Sequence, residues 1–135
     1  MDRVLVPGLE AFEWEWHFSH AVRSQGFLFL SGVTATGEDG TVAVDPAEQF
    51  EQTFLHLRMY LEAAGATVDD IVEMTSYHVD LRTHLAEFTA AKDRHIVHPY
   101  PAWSAIGVSQ LISEGALVEI RAIARDPRRD EDRSA

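Results

Sequence analysis

Two predicted helices each connect a pair of predicted strands, and this order restricts the fold more than any other feature of the sequence. The first helix has a clear start, with Asp45 as its N-cap, Pro46 at the first helical position and Glu48 three residues after the cap. Its end is predicted at Gly65, a residue typical of the position after a helix. An apolar stripe with helical spacing runs along it, formed by Phe50, Phe54, Leu57 and Leu61.

The other elements are predicted from β-branched runs, helical spacing and turn residues. A hairpin turns at Ser24-Gln25-Gly26 and leads into a buried strand over residues 27–30. The later elements are a strand at 70–81, a helix at 83–96 and two strands at 102–111 and 116–124. The second helix has its own stripe, formed by Leu85, Phe88, Lys92 and Ile96. Because a helix links two strands twice, we expect right-handed crossovers that place both helices on one face of a mixed sheet.

The last predicted strand has two different faces. The face suited to the helix layer carries Ala116, Val118, Ile120, Ala122 and Ala124. The other face carries Leu117, Glu119, Arg121 and Ile123, and no predicted element covers it. Since an uncovered sheet face of this kind is normally buried against a partner, we predict a homo-oligomer with binding clefts between its subunits.

Composition disfavours or excludes several classes of function. Eleven basic against 22 acidic residues give a formal charge of -11, which repels nucleic acids and anionic membranes. The chain has no cysteine, so disulfides, thiolate catalysis and cysteine zinc sites are excluded. No apolar run approaches the roughly 20 residues of a membrane span, and we expect a cytoplasmic protein. Residues 1–126 fit a single domain, and the charged stretch 127–135 is predicted to be a disordered tail.

Four stretches of the chain are distinctive in combination. They are FSHAVRSQGFLFLSG, LEAAGATVDDIVEMTSYHVDL, YPAWSAIGV and ALVEIRAIA. Together they resemble the Rid family, the reactive intermediate deaminases also called YjgF proteins, over roughly residues 17–125. The resemblance implies an α+β, chorismate-mutase-like fold and a homotrimer with three clefts at the subunit interfaces. It also implies hydrolysis of reactive enamines and imines, such as 2-aminoacrylate, to ketoacids and ammonia without a cofactor.

The resemblance assigns roles to residues that this chain retains. It implies that the backbone of Ser31 and Gly32 faces the substrate and that Glu119 holds the attacking water. A carboxylate beside apolar walls has a raised pKa and can act as a general acid or base. Alternatively, Glu119 forms a structural ion pair with Arg121, two residues along the strand. His20 lies next to the cleft in the family pattern and could carry a proton for Glu119.

Three cleft positions differ from the family pattern. The arginine that binds the substrate carboxylate is replaced by Trp103, a tyrosine by Phe18 and a cysteine by Ala105. Tryptophan cannot make the charge-assisted contact of arginine, which argues against standard 2-aminoacrylate deamination. Either Trp103 only packs in the trimer interface, or it forms an aromatic wall with Phe18 and Tyr100 for a flatter or less charged ligand. In a minor alternative, Arg121 supplies the missing positive charge.

Neither metal nor nucleophilic catalysis is predicted. Neither of the pairs His17 with His20 and His95 with His98 is part of a metal-binding pattern with a nearby carboxylate as third ligand. His78, inside a strand, is expected to be a hydrogen-bonded core group. No G-x-S-x-G motif surrounds Ser31, so a hydrolytic triad is not predicted either.

Two functions of different class remain. The first is an enzyme that acts on a small reactive enamine, imine or related conjugated substrate at an intersubunit cleft, by hydrolytic deamination or tautomerisation, with Glu119 as the catalytic residue. The second is a non-catalytic trimer that binds a small metabolite or a partner protein. Ribonuclease activity, an older suggestion for the family, is disfavoured by the net charge of -11.

Overall fold

The computed structural model describes residues 1–128, and six strands of this part of the chain form one sheet. The strands are β1 Asp2–Val4, β2 Ala21–Ser24, β3 Phe27–Leu30, β4 Ile71–His78, β5 Ala102–Gly107 and β6 Val118–Arg125. The helices are α1 Glu10–Trp16, α2 Pro46–Ala63 and α3 Leu81–His95, with a short 3-10 helix at Val68–Asp70. Within residues 1–128, none of the helices has the length and apolar composition needed to cross a bilayer.

The strands lie in the order β1-β2-β3-β6-β4-β5, and β4 and β5 are the parallel pair in an otherwise antiparallel sheet. Helix α2 connects β3 to β4 across β6, and α3 connects β4 to its neighbour β5. The predicted mixed α+β architecture with two connecting helices is confirmed. The helix-facing side of β6 is fully covered, because Val118, Ile120, Ala122 and Ala124 are all buried.

Helix α2 forms in the predicted way. The Asp45 carboxylate accepts a hydrogen bond from the backbone N–H of Glu48 at 3.0 Å, and Gly65 follows the helix with a φ of 83°. The whole stripe Phe50, Phe54, Leu57 and Leu61 is buried. Each of these side chains contributes about 1.5–3 kcal/mol of burial free energy, which fixes α2 on the sheet.

The predicted stripe of α3 is only partly correct. Phe88, Lys92 and Ile96 are buried, but Leu85 is 37% exposed and lies outside the core. Phe88 packs edge to face against Phe50 of α2, with ring centroids 5.6 Å apart. Contacts of this kind join the two helices, so the position of Leu85 is not needed to hold α3 in place.

The hairpin of β2 and β3 places two distant segments side by side. Because Ser24 is already paired with Phe27, the turn consists of two residues, Gln25 and Gly26. Both have a positive φ angle. The strands then run in register as far as the pair Ala21 and Leu30. One step further, the Ser31 N–H donates to the His20 carbonyl at 2.9 Å. The segment before β2 therefore lies against the segment after β3.

The N-terminal elements were not predicted. Strand β1 pairs with β2 at one edge of the sheet, and α1 carries the exposed side chains Trp14 and Trp16. Three paired residues and a seven-residue helix with no buried side chain leave too weak a pattern to recognise. Of the tail predicted at 127–135, residues 129–135 lie outside the described residues.

One face of the sheet is uncovered in the single chain, as the alternation on β6 predicted, but Leu117, also predicted on this face, lies before β6 and packs against the core. We call this face the open face and define it by Glu119, Arg121 and Ile123 of β6 and by Val22 and Phe29, which pair next to Ile123. These side chains are half-buried or exposed. Edge strand β5 is also exposed along most of its length.

Candidate active site on the open face

A cavity of about 310 Å³ opens where β3 ends on the open face. Its lining combines apolar and polar groups and consists of Ser19, Val22, Phe29, Leu30, Ser31, Gly32 and Arg121. The hairpin register brings Ser19 and Ser31 together, and the Ser31 hydroxyl donates to the Ser19 carbonyl at 2.7 Å. A volume of this size suits a small molecule. Because the Ser31 proton is already donated to a carbonyl, Ser31 is not prepared for nucleophilic attack.

The Glu119 side chain lies directly over Gly32 at the edge of this cavity. A Cβ atom added to Gly32 would be 2.5 Å from Cδ and 2.7 Å from Oε1 of Glu119. No real Cβ makes contacts that short, so only glycine at position 32 leaves room for the carboxylate. The Gly32 backbone conformation is ordinary, and the requirement is for space.

Burial raises the pKa of the half-buried Glu119 carboxyl, and desolvation is the cause. Tyr60 of α2 is close enough to feel the same charge. Its pKa is raised to about 12, mainly by burial and further by the negative charge of Glu119. The Tyr60 hydroxyl therefore stays protonated at neutral pH. The raised pKa of Glu119 brings its gain and loss of a proton closer to neutral pH.

Phe18 and His20 are connected to Tyr60 by ring contacts. The Phe18 and His20 rings are 4.7 Å apart, and His20 meets the edge of Tyr60 at 5.3 Å. Burial lowers the pKa of His20, although Glu13 and Glu10 act in the opposite direction. A neutral imidazole at this position can accept a proton, which is the state that the predicted role of His20 requires.

The ion pair offered as the structural role of Glu119 does not form. Within residues 1–128, Glu119 and Arg121 share no salt bridge. Side chains two residues apart on a strand point to the same face but start about 6.6 Å from each other. Glu119 extends over Gly32, so its carboxylate remains available beside the cavity.

Trp103 lies on the opposite face of the sheet from Glu119 in the single chain. Its indole Nε1–H donates to the Ser76 hydroxyl at 2.9 Å, and its ring lies 6.2 Å from that of Phe88 on α3. Ser76 is fully buried on the helix side. One chain therefore does not bring the indole to the Glu119 carboxylate, and their meeting in one cleft stays a prediction that needs a second subunit.

Lys92 is a partner of Trp103 that sequence reasoning missed. Its Nζ lies 4.4 Å from the centroid of the Trp103 ring and 5.9 Å from that of Tyr100. A buried lysine over two aromatic rings is a cation–π arrangement. Lys92 occupied a place in the predicted apolar stripe of α3, and a charge in such a place is the signal that could have pointed to an aromatic partner.

The aromatic wall predicted from Phe18, Tyr100 and Trp103 is not assembled within one chain. Tyr100 and Trp103 share Lys92, whereas Phe18 has its ring contact with His20 on another part of the molecule. Tyr100 is 65% exposed. Ala105 lies on edge strand β5, where it pairs with Ser76 of β4, and it does not line the cavity.

Replacing Trp103 by arginine, the family residue, should destabilise the protein. The new guanidinium would replace a ring that faces the Lys92 ammonium and would lose the hydrogen bond to Ser76. We expect Trp103→Arg to lower the free energy of unfolding by about 2–4 kcal/mol in urea denaturation. Lys92→Met should weaken the wild type but strengthen the arginine variant. Equal effects of Lys92→Met in both backgrounds would contradict this account.

His78 is a hydrogen-bonded core residue, as predicted. Its Nε2 lies 2.7 Å from the Ser76 hydroxyl, its ring packs against Phe88 at 4.5 Å, and burial lowers its pKa to about 4. The resulting chain of contacts runs from Trp103 through Ser76 to His78. The neutral imidazole is therefore part of the support of Trp103.

Acid should weaken the fold through His78. Between the ordinary pKa of 6.5 and about 4, the unfolded chain binds a proton at this residue that the folded chain does not. The free energy of unfolding should therefore fall as the pH decreases through this window, with a slope approaching about 1.4 kcal/mol per pH unit. Denaturation of wild type and His78→Leu isolates the effect, because the variant lacks the titrating group. Parallel pH curves would contradict it.

The structure thus separates the predicted site residues into two groups. Glu119, Ser31 and Gly32 meet at the cavity. Phe18 and His20 lie nearby, since the His20 ring contacts Tyr60. Trp103, Tyr100 and Ala105 belong to the region of β5. Among the residues that the structure describes, no three His, Cys, Asp or Glu side chains are grouped to hold a metal ion.

Known proteins resemble this chain in both sequence and fold. A family model described as Endoribonuclease L-PSP matches residues 9–126. The RutC family protein YjgH of Escherichia coli is 38% identical over 125 residues, which cover 92% of this chain and 94% of that protein.

Two solved structures give the same result. A solved structure of protein YjgH superposes with a TM-score of 0.84 at 37% identity, over 91% of this chain and 94% of that one. A Mycobacterium tuberculosis member of the YjgF family superposes with a TM-score of 0.76 at 30% identity, over 90% and 97%. By sequence and by fold, the chain belongs to the Rid family, to which the names YjgF and RutC also refer.

Proposed function

We propose that the protein is a cofactor-free hydrolase of small reactive imines or enamines, with Glu119 as its catalytic residue. The observation that carries the proposal is the placement of a partly desolvated carboxylate over Gly32, at the edge of a cavity lined by serines and apolar side chains. Membership of the Rid family supports a role in small-molecule deamination or binding.

The chemistry needs one group that moves protons. The Glu119 carboxylate takes a proton from water while the water oxygen bonds to the imine carbon. The π electron pair of the C=N bond moves to nitrogen, which receives that proton. In the second half, Glu119 takes the proton of the new hydroxyl as the C–N bond breaks, and nitrogen leaves with the electron pair and the proton as ammonia. A raised pKa suits a residue that gives and accepts a proton in turn.

We propose that three chains associate through their open faces, with a chorismate-mutase-like arrangement and three intersubunit clefts. The exposed apolar side chains of the open face and of edge strand β5, Ile106 and Trp103 among them, support this assembly. In the trimer the cavity beside Glu119 would be closed by a neighbouring subunit, which would bring its own β5 residues to the substrate. The cytoplasm is the location we expect for this reaction.

The position of Trp103 supports a substrate with a flat part that can pack on an indole ring. Its indole N–H is held by Ser76 and its ring by Lys92, so it offers an exposed ring surface and no charge to a ligand. The same observation favours the second candidate, a trimer that binds a metabolite without turnover. Ribonuclease activity is disfavoured by the charge of -11.

The test uses imines made in place by an amino-acid oxidase, with ketoacid formation followed after rapid trapping of the remaining imine. The wild-type protein should accelerate hydrolysis of at least one imine, and comparing the imine of 2-aminoacrylate with imines that lack a carboxylate shows whether a charged substrate is accepted without an arginine at position 103. Sedimentation should give three times the mass of one chain. Failure to accelerate any imine would favour the binding trimer, and a stable single subunit would contradict the intersubunit site.

A further inference from the structure

We propose that Arg121 is the cation that binds the carboxylate of the ligand in the open-face cavity, in place of a residue at position 103. Arg121 would then determine specificity for small anionic ligands. The inference rests on the proposed function only for the reaction that follows binding, since the cavity and the guanidinium are features of the structure itself.

Arg121 lines the cavity and has no partner among the described residues. Among residues 1–128 its guanidinium forms neither a salt bridge nor a hydrogen bond. Four of the seven other arginines among residues 1–128 are ion-paired, Arg3 with Glu13, Arg23 with Asp126, Arg94 with Glu51 and Arg125 with Asp70, and Arg58 donates to His95 instead. In a chain with 22 acidic and 11 basic residues, an arginine without a carboxylate in a concave site calls for an anion from outside.

The position of Arg121 relative to Glu119 also suits this role. Arg121 and Glu119 point to the same face of β6 and start about 6.6 Å apart. A ligand whose carboxylate lies on Arg121 can therefore place the neighbouring carbon toward the Glu119 carboxylate at Gly32. Val22 and Phe29 provide an apolar wall for a short side chain. A small carboxylate with its reactive carbon next to the charged group fits these positions.

The other residues that could take this role are placed less well. Among the described residues that line the cavity, Arg121 is the one with a charged side chain, and the Ser31 hydroxyl is already donated to a carbonyl. Lys92 is the cation nearest to position 103, but it lies on the helix side between Tyr100 and Trp103. Desolvation is the cause of the raised pKa of Glu119, so Arg121 does not act as the charge partner of that carboxylate.

The experiment measures binding of pyruvate and of its neutral analogue pyruvamide by calorimetry. Arg121→Gln should weaken pyruvate binding by about tenfold or more and leave pyruvamide binding unchanged. Arg121→Lys should fall between, because lysine keeps the charge but loses the two-pronged contact. Arg125→Gln is the matched control: it removes the same charge from the same strand, at an ion pair with Asp70 outside the cavity.

Several outcomes would overturn the assignment. They are pyruvate binding by Arg121→Gln within about twofold of the wild type, an equal loss in Arg125→Gln, a loss in Lys92→Met instead, or a wild type that does not bind pyruvate. Melting temperature and oligomer mass of each variant exclude a loss of fold or of assembly. Glu119→Gln separates the two proposals, since it should stop turnover and keep pyruvate binding. Arg121-dependent binding without any imine hydrolysis would refute the proposed reaction alone.

Discussion

Gly32→Ala should reduce imine hydrolysis to the level of a protein without Glu119, and it should do so with little loss of stability. The added Cβ would meet Cγ, Cδ and Oε1 of Glu119 at 2.5–2.8 Å. These atoms belong to the end of a flexible side chain on the uncovered face, so Glu119 can rotate away at a cost of about 1–2 kcal/mol. The carboxylate would then leave the cavity edge, and we expect kcat/KM to fall by about 10²–10⁴-fold.

Gly107→Ala is the matched control for this change. A Cβ at Gly107 would lie 3.8 Å from Leu81, an ordinary contact, so neither stability nor turnover should change much. Steady-state kinetics and thermal unfolding of both variants test the prediction. A Gly32→Ala protein with full activity would show that the carboxylate is not needed at the edge of the cavity.

Glu119→Gln should have opposite effects on activity and on stability. Without a carboxylate to move protons, we expect turnover to fall by about 10²–10⁴-fold. At neutral pH the variant should unfold at a higher temperature than the wild type. Burial raises the pKa of Glu119 in the wild type, so folding favours its protonated form. The ionised form therefore carries a desolvation cost that glutamine does not have.

The pH dependence follows from the same shift. Below the ordinary carboxyl pKa of 4.5, Glu119 is protonated in the folded and the unfolded chain, so Glu119→Gln and wild type should have similar stability. The advantage of the variant should appear as the pH rises through the folded pKa. Wild-type activity should rise over the same range, because the carboxylate is the base. Glu73→Gln, an exposed carboxylate on the neighbouring strand β4, should show neither effect.

Local patterns were enough to predict much of the fold. The cap at Asp45 and the stripe from Phe50 to Leu61 depend on neighbours within a few residues, and they formed as expected. The two faces of β6 follow from the two-residue period of a strand, so the open face with Glu119 was also predictable. The weak elements β1 and α1 lack such patterns and were missed.

The rest of the site depends on tertiary contacts that no local pattern contains. The distance between Nζ of Lys92 and the ring of Trp103 is set by how α3 packs on β5, so the pair could not be derived from spacing. The ion pair of Glu119 with Arg121 was a reasonable alternative from their spacing. It fails because Glu119 lies over Gly32, a residue of a distant segment.

The two-residue turn at Gln25 and Gly26 has a consequence for how this protein can vary. Surface loops usually tolerate insertions, but here one extra residue that shifted the pairing of the two strands would invert which side of the sheet each β3 side chain faces. Gly32 would move out from under the carboxylate, although the inserted residue lies at the far end of the hairpin. The length of a solvent-exposed loop thus helps to determine which residue lies under the Glu119 carboxylate.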